Sequence, residues 1–383
     1  MKVVFVSNYF NHHQKPFCEE MYKELKGFFA FIATSVMREE RKQLGYNQDD
    51  QPEYVCLAYQ GDGQMKKALD LIDQAEVVII GSAPNNMVLR CIRKNKLVFR
   101  YTERPYKKTP SYIKKIYHFW RWHQNDLWKN NVYMLCASAY AYSDYASVGM
   151  YKKRSYKWGY FPEIKKYDID ELVSKKEFDT LLWCGRFIDW KHPDDAIQIA
   201  RKLKEEGYKF RLNMIGTGVM ESELKQLVKE FSLDDVVTFC GSMSPEQVRS
   251  YMEKAGIYLF TSDKQEGWGA VLNEAMNSAC AVVASHAIGS VPFLLKDGKN
   301  GYVYESGNID SLYTKVKYLL DHPENQQIFG SEAYKTMITE WNAEVATKRF
   351  INLADRINMG ENKSDVYQTG PCSNANLMKD DWR

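Results

Sequence analysis

The sequence has no long apolar run, no clustered cysteines and almost no net charge. No uninterrupted apolar segment reaches the ~18 residues a membrane-spanning helix needs, so no such span is expected. The opening MKVVFVSNYF has too brief an apolar stretch for a secretory leader and reads as a short strand. Eight cysteines, at positions 18, 56, 91, 136, 184, 240, 280 and 372, contain no C-x-x-C pair and no metal-knuckle spacing. That excludes zinc-ribbon and thioredoxin-type chemistry. Cys136 and Cys184 sit inside apolar runs and read as small buried hydrophobes, which suits a reducing, cytoplasmic setting. A net charge of +3 makes no global demand for nucleic acid, and none is expected as a partner. Glycine is missing where a dinucleotide fold needs it. After the first strand, Lys2 to Ser7, the loop is Asn8 to Gln14 (NYFNHHQ), with no G-x-G-x-x-G. This argues against a nicotinamide or flavin oxidoreductase.

What is present is an alternation of short apolar runs and amphipathic stretches. With 383 residues, 45% hydrophobic and 14% aromatic, the chain supports two packed domains. Lys2 to Ser7 reads as the first strand of a parallel sheet, buried on both faces, and Phe28 to Thr34, Tyr54 to Ala58, Val77 to Ile80, Leu97 to Tyr101 and Tyr133 to Ala137 read as further strands. The expected organisation is a first domain over 1–165, a charged linker over 166–177 and a second domain over 178–341. A helix over 342–357 returns to the first domain, and a polar tail fills 358–383, tethered near Pro371 and Cys372. His12 and His13 lie in the loop after the first strand, and Glu103 and Arg104 follow a later strand. Both places are carboxyl ends of strands, where open α/β sheets bind ligands. The basic, aromatic stretch 105–130 interleaves Lys107, Lys108, Lys114, Lys115, Arg121 and Lys129 with Tyr112, Ile116, Tyr117, Trp120 and Trp128. An amphipathic surface of this kind suits an anionic membrane interface, so peripheral attachment at the inner membrane face is an expectation.

The second half is organised around Glu266 to Glu274 (EGWGAVLNE), which follows the apolar run Gly256 to Phe260 and opens a helix. Free N–H groups at such a helix start suit an anion. The flanking Glu266 and Glu274 then suit hydroxyl groups, because carboxylates do not bind phosphate. Upstream, Arg186 and Lys191 flank the loop after the strand Thr180 to Cys184, and two cations there suit a diphosphate. Gly216-Thr217-Gly218 and Gly241-Ser242-Met243 end two further strands and allow backbone to approach a ligand.

In this order, Gly185-Arg186 with Lys191, Gly216-Thr217-Gly218, Val237 to Gly241, Glu266-Gly267-Trp268-Gly269, Glu274-Ala275-Met276 and Gly289 resemble the retaining glycosyltransferases of family 4. The resemblance covers roughly 180–301 and implies an α/β GT-B fold of two facing Rossmann-like domains with parallel sheets. It implies that Arg186 and Lys191 neutralise a nucleotide-sugar diphosphate, that Glu274 holds ribose and that Glu266 contacts the sugar. It further implies that backbone around Trp268, Gly269, Ala270 and Val271 touches phosphate or sugar, and that Gly241, Ser242 and Met243 lie near the base. No metal and no other cofactor is implied. The acceptor, a glycan or lipid-linked species, falls to the first domain, with His12, His13 or Glu103 as the catalytic residue there. The alternatives are a binding protein without turnover, or another GT-B enzyme such as a sugar-nucleotide epimerase or a phosphorylase. No pyridoxal-phosphate lysine can be identified for the last.

Overall fold

Two parallel sheets account for all the strands of the described residues, which are 1–37, 51–361 and 367–379 of a computed structural model. Unit 1 comprises Met1–Glu163 and Glu340–Lys379, and unit 2 comprises 164–339. In unit 1 the strands are β1 (Val3–Ser7), β2 (Phe29–Ala33), β3 (Val55–Leu57), β4 (Val77–Ile80), β5 (Leu97–Thr102), β6 (Val132–Cys136) and β7 (Ser155–Lys157). They lie in the order β3-β2-β1-β4-β5-β6-β7. In unit 2 they are β8 (Glu177–Cys184), β9 (Arg211–Ile215), β10 (Val237–Gly241), β11 (Ala255–Phe260), β12 (Ala281–Ser285) and β13 (Tyr302–Tyr304). Their order is β10-β9-β8-β11-β12-β13. Each order reverses once, which marks a doubly wound sheet.

Burial explains the parallel pairing. Every residue of β1, β4, β6, β11 and β12 is buried, so helices must cover both faces. Leu181, Trp183, Leu212, Met214, Ile257 and Val283 form the centre of the unit 2 core, with Ile197, Ala200 and Leu203 from the helix Pro193–Glu205. Pro193 and Pro245 each begin a helix, where a missing N–H costs nothing. Ser244 completes the second of these starts with a capping box to Gln247.

The stretch 166–177 differs from the expected linker. It carries a short helix, Ile169–Ser174, capped by the Asp168 side chain, which accepts from the Asp170 and Glu171 N–H groups. It then runs into β8 at Glu177. Lys176 is buried and donates to the carbonyls of Met252, Ala255 and Ser278. Charge there reads as solvated in the sequence, but this amine is fully occupied inside unit 2.

The helix Ala343–Asn358 packs on the helix Lys15–Glu24 in unit 1. Phe350 is buried against Phe17, Phe99 and Trp158, with ring centroids 6.4, 5.0 and 5.9 Å away. Part of the expected polar tail is docked. The Cys372 N–H donates to the Lys157 carbonyl at 2.8 Å, the Lys157 N–H to the Ser373 carbonyl at 2.7 Å and the Ala375 N–H to the Ser155 carbonyl at 2.9 Å. The tail thereby pairs with the open edge of β7. Residues 362–366 and 380–383 of that tail lie outside the described residues. No helix among the described residues is long and apolar enough to cross a membrane.

Candidate active site

The strand order of unit 2 reverses between β8 and β11. From β8 the chain winds to β9 on one side, while β11 lies on the other. A ligand crevice belongs at this switch point, beyond the carboxyl ends. The loops after β8 and β11 are tied together there. The Asp263 N–H donates to the Trp190 carbonyl at 3.0 Å. Thr261 Oγ1 donates to the Lys191 carbonyl at 2.7 Å and accepts from Trp183 Nε1 at 2.8 Å. These bonds fix the short 3₁₀ turn Asp189–Lys191 over the end of β11.

Lys191 Nζ and Glu266 Oε2 form an ion pair across the two loops. The same Glu266 oxygen accepts from Ser262 Oγ at 3.0 Å. The two charged side chains are only 13% and 11% exposed. The Lys191 ammonium also lies 4.8 Å from the centroid of the Trp190 ring. Arg186 differs from Lys191. It is exposed, its guanidinium lies 5.7 Å from the centroid of the Trp190 ring, and it has no carboxylate partner among the described residues. One cation is therefore tied to a carboxylate and the other is open to an incoming anion.

Glu274 is half-buried in the helix Val271–Asn277. Burial pushes its carboxyl above the ordinary range, opposed by the charge of Arg249. Arg249 does not pair with that carboxylate. Its guanidinium donates to the Glu274 carbonyl, to Asn277 Oδ1 and to Ser278 Oγ. Among the described residues the Gly267, Gly269, Ala270 and Val271 N–H groups donate to no carbonyl or side chain. Gly269 has φ +82°, and a Cβ on it would lie 2.5 Å from Phe260 Cζ. Trp268 contributes backbone only. Its side chain is fully buried and its Nε1 donates to Asn273 Oδ1 at 2.9 Å.

The glycine turns close the crevice on the β9 and β10 side. Gly216, at φ +137°, passes so near the β8 loop that a Cβ would sit 1.8 Å from the Gly185 carbonyl oxygen. Gly218 runs against the Phe187 carbonyl in the same loop. The Gly216 N–H donates to the Gly241 carbonyl at 2.8 Å, which places Gly241 and the exposed Ser242 beside this turn, with Met243 following half-buried. Sequence reasoning did not single out Ser262, Trp190, Thr261 or Arg249. Ser262 had a local signal, a hydroxyl four positions before Glu266; Arg249 lies on a helix that carries no motif.

The Asp168-Ile169-Asp170 triplet has the spacing of a metal-binding D-x-D, but Asp168 caps a helix that precedes β8. It stands apart from the loops at the carboxyl ends.

In unit 1 the expected residues gather after β1 and β5. The His12 and His13 ring centroids are 3.7 Å apart, and His13 stacks on Tyr160 at 5.9 Å. Tyr160 OH donates to Glu103 Oε1 at 2.7 Å, and Lys107 approaches the other Glu103 oxygen at 3.6 Å. Tyr160 was not foreseen as the link between the histidines and the carboxylate. Arg104 is instead buried, paired with Asp144 and lying 4.8 Å over the Tyr140 ring. It is a packing element of unit 1 and not a ligand-facing group.

Residues 165–336 match the model of the family described as glycosyl transferases group 1. A putative colanic acid biosynthesis glycosyltransferase of Salmonella typhimurium, WcaL, is 25% identical over 169 residues, 42% of this chain and 41% of that protein. An amylovoran biosynthesis glycosyltransferase of Erwinia amylovora, AmsK, is 26% identical over 182 residues, 46% of this chain and 44% of that protein. The match thus spans less than half of each relative. Among solved structures, HepE of Anabaena with UDP and glucose superposes with a TM-score of 0.66 at 13% identity, over 93% of this chain and 99% of that one. That likeness carries the fold alone, GT-B.

Proposed function

From residues 165–336 as a glycosyl transferases group 1 domain within a GT-B fold, we propose that the chain is a glycosyltransferase of surface polysaccharide biosynthesis. It takes a sugar from a nucleoside-diphosphate sugar and passes it, with retention of configuration, to a glycan or lipid-linked acceptor. The observation that carries this reading is the pairing of Lys191 with Glu266 at the switch point, beside Arg186, which has no carboxylate partner among the described residues. A diphosphate draws Lys191 and Arg186 toward its oxygens, and the two cations stabilise the charge that develops on this leaving group as the glycosidic bond breaks. Glu266, released from the lysine, is then free to accept from sugar hydroxyls. Glu274, whose carboxylate meets no donor among the described residues, accepts from ribose hydroxyls. The N–H groups of Gly267, Gly269, Ala270 and Val271 complete the anion cradle, and Gly241 to Met243 border the base.

In this reading the two cations do the electrostatic work, and transfer needs no metal. The acceptor side belongs to unit 1, with His12, His13 and Glu103 as its candidates. A nucleoside-diphosphate donor is supported by the UDP and glucose named with the Anabaena structure. A place in polysaccharide biosynthesis is supported by the polysaccharide roles in the names of the two relatives. The enzyme works in the cytoplasm at the inner membrane face. The helix Tyr112–Asn125 supports this, because none of its residues is buried and Tyr112, Ile113, Ile116, Tyr117 and Trp120 are exposed beside lysines.

The test is a thermal-shift panel of UDP, GDP, ADP, CMP and their sugar conjugates in EDTA, followed by donor turnover. One nucleotide is expected to stabilise selectively, by about 2.7 kcal/mol at a hundred times Kd. Binding without consumption of any sugar conjugate, across a panel of glycan and lipid-linked acceptors, would replace the transferase with a binding protein. No shift with any nucleotide would remove the donor site.

A further inference from the structure

The helix Pro193–Glu205 opens on a cluster that sugar transfer does not use. His192, Asp194 and Asp195 each offer one ligand atom, and these atoms lie within 4.8 Å of one another. Carboxylates in a first helical turn ordinarily accept from its free N–H groups. Asp195 does not. It is 7% exposed, and among the described residues no hydrogen bond or ion pair reaches its carboxylate. A buried carboxylate with neither donor nor counter-charge is costly, and natural interiors supply one or the other.

The surroundings add to the deficit. The buried Tyr304 hydroxyl also lacks a hydrogen-bond partner among the described residues. On the open side, the Asp263 carboxylate stands 3.7 Å from His192 Nε2 and brings more negative charge. No lysine or arginine pairs with Asp194 or Asp195 among the described residues. What the cluster lacks is a cation.

We propose that His192, Asp194 and Asp195 bind one divalent transition-metal ion. An imidazole and two carboxylates suit zinc or manganese. Around a tetrahedral ion with bonds of ~2.1 Å, ligand atoms sit about 3.4 Å apart. Side-chain rotation closes the remaining distance. The ion satisfies Asp195 and joins the end of the Asp189–Lys191 turn to the first turn of the helix. Its role is to stiffen the support of Lys191, and it takes no part in bond making.

The experiment uses the full chain stripped with EDTA and desalted. ZnCl2 and MnCl2 are each titrated by calorimetry, with melting followed in parallel, for the wild type, Asp194→Asn and Asp195→Asn. One ion is expected to bind at one site, to raise Tm by several degrees and to bind at least about tenfold more weakly to each variant. Without metal, Asp195→Asn should melt no lower than the wild type, because it removes an uncompensated charge; that separates lost binding from lost folding. Failure of both ions to bind the wild type at millimolar concentration would overturn the proposal. So would equal affinity in wild type and both variants. Nucleotide binding is measured in EDTA, so the donor site and the metal site stand or fall separately.

Discussion

Lys191 and Glu266 stand 75 residues apart in the chain and close one ion pair over the carboxyl ends of β8 and β11. Each is the other's main charged partner, with Ser262 holding the same Glu266 oxygen. The pair is thus a preset geometry for the lysine and a stopper for the carboxylate. Donor binding has to exchange one set of contacts for another, which favours a ligand carrying both an anion and hydroxyl groups.

Removing either partner should therefore act on both stability and turnover. Lys191→Ala leaves a mostly buried carboxylate, and loss of about 3 kcal/mol is expected in urea unfolding. Glu266→Gln keeps the Ser262 contact and should unfold closer to wild type. Turnover of a confirmed donor and acceptor should fall at least about a hundredfold in Lys191→Ala and Glu266→Ala, or about 2.7 kcal/mol of barrier. Rates near wild type in both would remove this pair from the site.

Glu274 gives a pH dependence with a definite sign. Burial raises its carboxyl, so the ionised form is disfavoured in the folded chain. An acceptor of ribose hydroxyls has to be ionised, so nucleotide affinity should weaken as pH falls through this raised value. That acid limb should begin above the range of an ordinary glutamate. The linked stability runs the other way: folding is favoured on the acid side, and the advantage is lost as pH rises through the folded-state value. Nucleotide Kd measured from pH 5 to 8 for wild type and Glu274→Gln checks this. The variant should bind weakly and show no such limb.

Gly216 permits no side chain. Its φ is +137° and a Cβ would overlap the Gly185 carbonyl oxygen. Gly216→Ala should push the β8 loop away, with a stability loss of about 1–3 kcal/mol and a rise in nucleotide Kd. Gly149→Ala, also at positive φ but with open space around it, is the control for backbone strain alone. Equal effects on nucleotide Kd would show that the close approach at Gly216 does not matter.

The helix Tyr112–Asn125 should bring the chain to anionic vesicles. Sedimentation with phosphatidylglycerol-containing liposomes is expected at low salt and should weaken at high salt, since Lys114, Lys115 and Arg121 supply the attraction. Changing Ile113, Ile116 and Trp120 together to serine should abolish binding while leaving the melt almost unchanged, because these side chains are exposed. No sedimentation of the wild type at low salt would end the membrane reading.

The fold was legible where physics is local. An apolar run such as Gly256 to Phe260 has to be buried on both faces, and the glycine-rich loop and helical pattern after it have to follow a strand. Repetition of that unit implies parallel sheets. The short segment 166–177 was not legible, because composition shows that Lys176 is charged and does not show the three carbonyls that surround its amine. Arg104 misled for the same reason. It lies beside Glu103 in sequence, yet its guanidinium is buried against Asp144 and Tyr140. At the candidate site, the residue types in the loops could be read directly. Which cation meets which carboxylate could not, since the choice of Lys191 over Arg186 for Glu266 depends on the turn at Asp189–Lys191 and on Thr261 holding its carbonyl.

The docking of 372–375 along β7, with Phe350 set among Phe17, Phe99 and Trp158, has a consequence for synthesis on the ribosome. Unit 1 is made of 1–163 and 340–379, and unit 2 of the uninterrupted segment between them. When the first 163 residues emerge, their sheet has a bare edge at β7 and an unfilled aromatic pocket. Unit 2 can complete itself before either is covered. The usual order, first domain first, is therefore inverted here: the sheet built from 1–163 waits for 340–379, and premature termination after 339 would yield a finished unit 2 attached to an unsealed unit 1.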